Sequence, residues 1–164
     1  FFRQFELYYV VSDESDVVAL RTNQRGERVE LYREHEALAK AQIQRCSTLH
    51  DNLVVLDLRD EETIYATNRF TIYALFPQCN ISIHAMWGLK KQNTVFAIGK
   101  SILDRSSTTN VGELCLAYHG GGHSAAGTCQ VDNDQAVRVL AELVARINAD
   151  EQAAAGSRKD IRTA

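Results

Sequence analysis

Gly120-Gly121-Gly122-His123 is the segment of this 164-residue chain whose residue types most demand a chemical reason. Each of three consecutive glycines loses more backbone entropy on folding than any other residue would. A single glycine is enough to end a helix. A glycine run lets successive backbone N–H groups converge on an anion, and lets that anion come close. His123 adds a side-chain donor beside a phosphate oxygen. Gly120, Gly121, Gly122 and His123 therefore form a candidate phosphate-binding loop. The same residues also allow a plainer reading, a tight crossover between helix and strand in which His123 bonds locally.

Other side chains offer less. Arg105-Ser106 could pair with a phosphate through a guanidinium fork and a hydroxyl, but an arginine after a strand is by itself a surface residue. Cys115, His119, His123 and Cys129 are zinc-ligand types within a short stretch. Cys115 and Cys129, however, fall on the apolar faces of a helix and a strand and read as core thiols. Asp57, Asp60, Glu61 and Glu62 read as a solvated turn. His84 alternates with Ile81 and Ile83 onto the opposite strand face, beside Ser82 and Met86; His84 and His119 are secondary candidates for a pocket. Met86-Trp87 could stack on a base, though core packing suits them better. No Ser-His-Asp or Cys-His pattern is visible along the chain.

The elements that must hold these residues follow from periodicity. Residues 1–23 suggest two short helices broken at Asp13-Glu14-Ser15-Asp16. Glu27 to about Cys46 is an amphipathic helix, with Val29, Tyr32, Glu36, Ala39 and Ile43 at alternating steps of three and four. Leu53–Leu58 reads as a buried strand, with Thr63–Ala66 as its hairpin partner. Arg69–Phe76 is a short helix stopped by Pro77. Asn80–Trp87 and Thr94–Ile102 are strands joined by a turn. Asn110 caps a helix with Val111, Leu114, Cys115 and Tyr118 on one face, ended by the glycines. Ala125, Gly127, Cys129 and Val131 then line one side of a strand, and Asp132–Asn148 is a helix facing the sheet. The fold class is α/β, a mixed β-sheet with flanking helices, preceded by a long interdomain helix.

Composition narrows the partners. Apolar residues are 45% and charged residues 24% of the chain, ordinary values for a globular protein. A net charge of −3 gives no electrostatic drive towards nonspecific DNA binding. No apolar run is long enough for a membrane helix. Cys46, Cys79, Cys115 and Cys129 are widely spaced and read as reduced thiols in a cytoplasmic protein. The chain opens Phe1-Phe2-Arg3 without Met and reads as a piece of a longer protein.

Gly120-Gly121-Gly122-His123-Ser124-Ala125-Ala126-Gly127 resembles the Gly-Gly-Gly-His-x-x-Ala-Ala-Gly signature of the DHH-superfamily phosphoesterases, short by one spacer. Arg105-Ser106 resembles the Arg-Ser pair that precedes that loop. The resemblance is to the C-terminal DHH-associated domain of exopolyphosphatase-like and oligoribonuclease-like members. It implies a division into residues 1–24, a helical remnant of an absent N-terminal catalytic domain; 25–48, a linker helix; 49–150, the substrate-binding domain; and 151–164, a flexible tail. It implies that Gly121, Gly122 and His123 meet a substrate phosphate while Arg105 and Ser106 hold another. The ligand it implies is a phosphorylated small molecule, a short oligonucleotide or polyphosphate. His119 stands where the family often has a fourth glycine, and Asp104 beside Arg105 would repel a phosphate if it faced the site.

The family's Asp-His-His motif and metal-holding aspartates are absent from this sequence. Manganese is thus implied for the parent protein and no cofactor for this chain, whose catalytic residues would lie in the absent DHH domain. The resemblance implies a manganese-dependent hydrolase as parent and an inactive substrate-binding module here, and it leaves a homodimer open. Related domains in alanyl-tRNA synthetases make a nucleic-acid-binding module the alternative.

Overall fold

The computed structural model describes residues 25–65 and 67–162. The two short helices expected within residues 1–23 lie outside the described residues. Helix α1 spans Arg25–Cys46. It turns Ala39, Gln42 and Ile43 inward, and carries an exposed Glu36–Lys40 pair at 2.7 Å one turn apart. The chain passes directly into β1 (Ser47–His50) and, through Asp51-Asn52, into β2 (Leu53–Asp57). Asp51 takes a left-handed φ of 55° at this turn, a conformation that Asp tolerates better than most residues.

Here the structure corrects the sequence reading. The antiparallel partner of β2 is β1, not residues 63–66. The 63–65 segment gives its backbone groups to a side chain instead. Gln42 donates to the Thr63 carbonyl at 2.6 Å and accepts from the Tyr65 N–H at 3.1 Å. Glu61 is not solvated either: it accepts from Gln42 at 2.7 Å and pairs with Arg45, tying the turn to α1.

Helix α2 (Thr71–Leu75) leads to β3 (Ile81–Trp87) and, over a 3₁₀ turn at Leu89–Lys91, to β4 (Thr94–Lys100). Helix α3 (Val111–Leu116), β5 (Gly121–His123), β6 (Ala126–Val131) and α4 (Ala136–Arg162) complete the described chain. The six strands form one mixed sheet in the order β1-β2-β3-β4-β6-β5. Only β2 and β3 run parallel. Leu53, Val54, Val55 and Leu56 are all buried because β2 is covered on both faces, which is why it reads as a continuous apolar run.

One core lies between the sheet and α3 and α4, where Val55, Ile83, Phe96 and Cys129 meet Leu114 and Leu143. The other lies between the sheet and α1 and α2, where Val54, Leu56 and Met86 meet Ile43, Ile72 and Tyr73. Helix α4 runs to Arg162 rather than giving way to a frayed tail after residue 150. The alanine-rich stretch has high helix propensity. The Thr108 N–H also donates to the Glu151 carboxylate at 2.9 Å, binding that stretch to the loop before α3.

Candidate functional site

The glycine segment is built from α3 outward. Asn110 caps α3, its side chain accepting from the Glu113 N–H at 3.4 Å and donating to the Glu113 carboxylate at 2.8 Å. The helix ends in a Schellman arrangement: the Gly120 N–H reaches the Cys115 carbonyl at 2.9 Å and the His119 N–H the Leu116 carbonyl at 3.1 Å. The left-handed position of that motif belongs to His119, with φ 58°. The sequence suggested that the glycines end the helix, but a histidine does so.

The glycines then form a strand, not a concave loop of convergent N–H groups. Gly121, Gly122 and His123 pair with Thr128, Gly127 and Ala126 of β6, so β5 is the edge of the sheet. An edge strand leaves alternate backbone groups unpaired and accessible. The three glycines have different reasons to be there. A Cβ on Gly120 would stand 2.1 Å from the Thr128 carbonyl oxygen, and one on Gly122 would stand 2.3 Å from that of Ala126. Close approach to β6 accounts for both. A Cβ on Gly121 would meet nothing within 4 Å. Among the described residues nothing excludes a side chain at that position.

Gly121 borders an open cleft of about 720 Å³, lined also by His119, His123, Thr128, Gln130 and Arg69. Strand register shows how the cleft arises. Ser82, Gly99, Ala126 and His123 form one row across β3, β4, β6 and β5, and His84, Ala97, Thr128 and Gly121 form the next. Helices α1 and α2 cover this face over β2 and β3. Towards β5 it lies open, with small residues as its floor. The His123 ring is oriented by the Ala125 N–H, which donates to Nδ1 at 3.2 Å. With Nδ1 as acceptor, the neutral ring carries its proton on Nε2, ready to donate.

The remaining candidates are placed differently. Arg105 and Ser106 do not line the cleft. The loop that carries them leaves β4 at the end where the His123–Ala125 turn sits, since the Lys100 N–H donates to the Ala125 carbonyl at 2.9 Å. Arg105 is exposed there. Ser106 accepts from Asn80 at 2.8 Å, and its N–H donates to Asp104 at 2.9 Å. These bonds hold the Asp104 carboxyl below its ordinary range and turn it onto its own loop.

His84 is buried under α2, in a small pocket that Arg69 also borders. Burial, and secondarily the Arg69 charge, lower its pKa to about 4. Tyr73 beside it is raised to about 12 by burial, its hydroxyl sharing a 2.9 Å hydrogen bond with Ser82.

Sequence reasoning missed Arg69, which lies just before α2 and faces both cavities. It looked like the first residue of a helix, and its position over the cleft depends on long-range packing that no local signal encodes. Cys115 and Cys129 are core thiols, 0% and 1% exposed; their mutual hydrogen bond and burial raise the pKa of Cys115. Asp57 is held by a bidentate ion pair with Arg59, at 2.9 and 2.6 Å. Trp87 donates to the Arg59 carbonyl at 2.6 Å, and the Arg59 guanidinium lies over its ring, 5.9 Å from the centroid. Among the described residues no three His, Cys, Asp or Glu side chains come together as a metal-binding group, and no helix is long and apolar enough to cross a membrane.

No protein-family model matches the sequence, and no curated protein matches it. Among solved structures the chain is similar to the pGpG-specific phosphodiesterase PggH from Vibrio cholerae, at 64% identity and a TM-score of 0.76, over 82% of this chain and 46% of that one. It thus spans about half the length of that relative. An exopolyphosphatase-related protein from Bacteroides fragilis is 13% identical with a TM-score of 0.55, over 72% of this chain and 36% of that one. The DHH domain of a member of the s1p family of ribosomal proteins is 15% identical with a TM-score of 0.50, over 74% of this chain and 31% of that one. The last two likenesses are of fold alone.

Proposed function

This chain belongs to the DHH-associated domains of the DHH superfamily, and we propose that it is the substrate-binding half of a cytoplasmic phosphoesterase acting on nucleotides or short oligonucleotides. The observation that carries this reading is Gly121. It is the one glycine of the three that the chain's own packing leaves unexplained, and it opens on the cleft beside His123. Without a side chain there, a phosphoryl oxygen can reach the backbone of β5. The His123 Nε2–H donates to the same group, and Arg105 holds a further phosphate from the loop at that end of the sheet. The free thiols of all four cysteines support a reducing compartment.

The chain's own part is to bind and orient. Its described residues assemble no donor set that fits manganese, so the ion that a DHH phosphoesterase uses to activate water would be held by another domain. The named activity of the Vibrio cholerae relative makes a 5′-phosphorylated guanylate dinucleotide the first ligand to test. In calorimetric titration the chain should bind it, and His123→Ala should weaken binding roughly 10- to 100-fold, the worth of one hydrogen bond to a charged group. Manganese-dependent hydrolysis by this chain alone would overturn the division of labour. Tight, strongly salt-dependent tRNA binding would favour a nucleic-acid-binding module instead.

A further inference from the structure

We infer that Arg69 is a ligand-binding residue of the cleft, holding a second anionic group of the substrate across the sheet from His123. This rests on the reading of the cleft as a phosphate site. Arg69 precedes α2, and its guanidinium lies down on the sheet over β4. A Cβ on Gly99 would stand 3.4 Å from one of its terminal nitrogens, ordinary contact distance, which places the guanidinium directly over that position of β4. Gly99 pairs with Ala126, and Ala126 with His123. Two small residues therefore separate the cation from the imidazole, over two strand spacings or roughly 10 Å. The trough between them is part of the open cleft.

Among the described residues the charge on Arg69 has no carboxylate counter-ion. Among the described residues Arg45, Arg59 and Arg138 each pair with a carboxylate, and Arg69 does not. The Phe70 ring, with its centroid 4.6 Å from the guanidinium carbon, orients the fork without neutralising it. The ionisable side chain it faces from β3 is His84, which is held uncharged. A half-buried guanidinium with a planar fork, a small-residue floor and no carboxylate is suited to bidentate capture of a phosphoryl or carboxylate group. A packing role alone would need only the stem and the ring contact.

The test titrates wild type, Arg69→Gln, Arg69→Lys and His123→Ala with the 5′-phosphorylated guanylate dinucleotide and with inorganic phosphate. The side-chain Nε–H resonance of Arg69 is followed by NMR in the wild-type chain, which keeps the test alive if a variant misfolds. Arg69→Gln should weaken the dinucleotide about 10- to 100-fold while the phosphate-induced shift of the His123 ring persists. Arg69→Lys should recover part of the affinity, because it keeps the charge and loses the fork. The Arg69 resonance should move on saturation with dinucleotide. If Arg69→Gln binds the dinucleotide like wild type while His123→Ala does not, the role of Arg69 is refuted and the phosphate site stands. If neither variant loses affinity, the phosphate site itself is refuted and this role with it.

Discussion

Gly121→Ala and Gly122→Ala are adjacent substitutions with opposite expected consequences. A methyl group at position 122 would stand 2.3 Å from the Ala126 carbonyl oxygen and 2.4 Å from the Gly127 Cα, both backbone atoms of β6. Backbone cannot swing aside as a side chain can, so β5 must lift from β6 or lose its register. Overpacking of this kind typically costs about 1–3 kcal/mol. At position 121 the same methyl meets nothing within 4 Å, and the effect on stability should stay within about 0.5 kcal/mol. Loss of unfolded-state entropy could even turn it slightly favourable. For the ligand the order reverses. Gly121 shares its sheet face with Thr128, so the added methyl projects into the cleft and holds an anion off the strand. Urea unfolding should show a lower midpoint for Gly122→Ala and an unchanged one for Gly121→Ala. Dinucleotide titration should show at least a roughly 10-fold loss for Gly121→Ala, equivalent to about one hydrogen bond to a charged group. The reasoning is refuted if Gly121→Ala folds and binds like wild type, or if it destabilises as much as its neighbour.

Four substitutions probe separate features of the fold and the site. His119→Gly should raise the unfolding free energy by about 1 kcal/mol, because the left-handed position that His119 holds at φ 58° suits glycine; an unchanged urea midpoint would contradict this. His84 has a folded-state pKa of about 4 against an ordinary 6.5. Its contribution is therefore complete above pH 6.5 and is lost as pH falls towards 4, a loss of about 3 kcal/mol in all. His84→Gln should flatten the stability profile over that window, and Arg69→Gln should raise the histidine's NMR titration midpoint. Gln42→Ala leaves the Thr63 carbonyl and the Tyr65 N–H without their partner, and should destabilise by about 1–3 kcal/mol in the same urea assay.

The parts of the fold that declare themselves locally were legible in the sequence. The alternation of Ile81, Ile83 and Ala85 placed β3 and the face it packs towards α3 and α4, Asn110 marked the start of α3, and Pro77 closed α2. The β1–β2 hairpin was not legible, because Ser47–His50 continues a helix without a break and Asp51-Asn52 is a weak turn signal. The 63–66 run has strand-like residues, but a buried glutamine competes successfully for its backbone. At the site, the glycine segment stood out by composition alone. Which glycine the packing leaves free could be learned only from the register of β5 on β6. Arg69 lies more than fifty residues from His123 in sequence, and no spacing rule connects them. The Arg105 loop was legible as a motif, yet its place at the far end of the β4 strand, beside the His123 turn, follows from sheet topology.

The most direct test of the phosphate site is an amide ¹H–¹⁵N titration of the chain, first with inorganic phosphate and then with the 5′-phosphorylated guanylate dinucleotide. Saturable shifts are expected at Gly121, Gly122, His123 and Thr128, with the 101–106 loop responding to the dinucleotide. Shifts confined to another surface, such as the groove that Asn110, Arg146 and Asp150 line beside α4, would contradict the phosphate site, as would the absence of saturable binding.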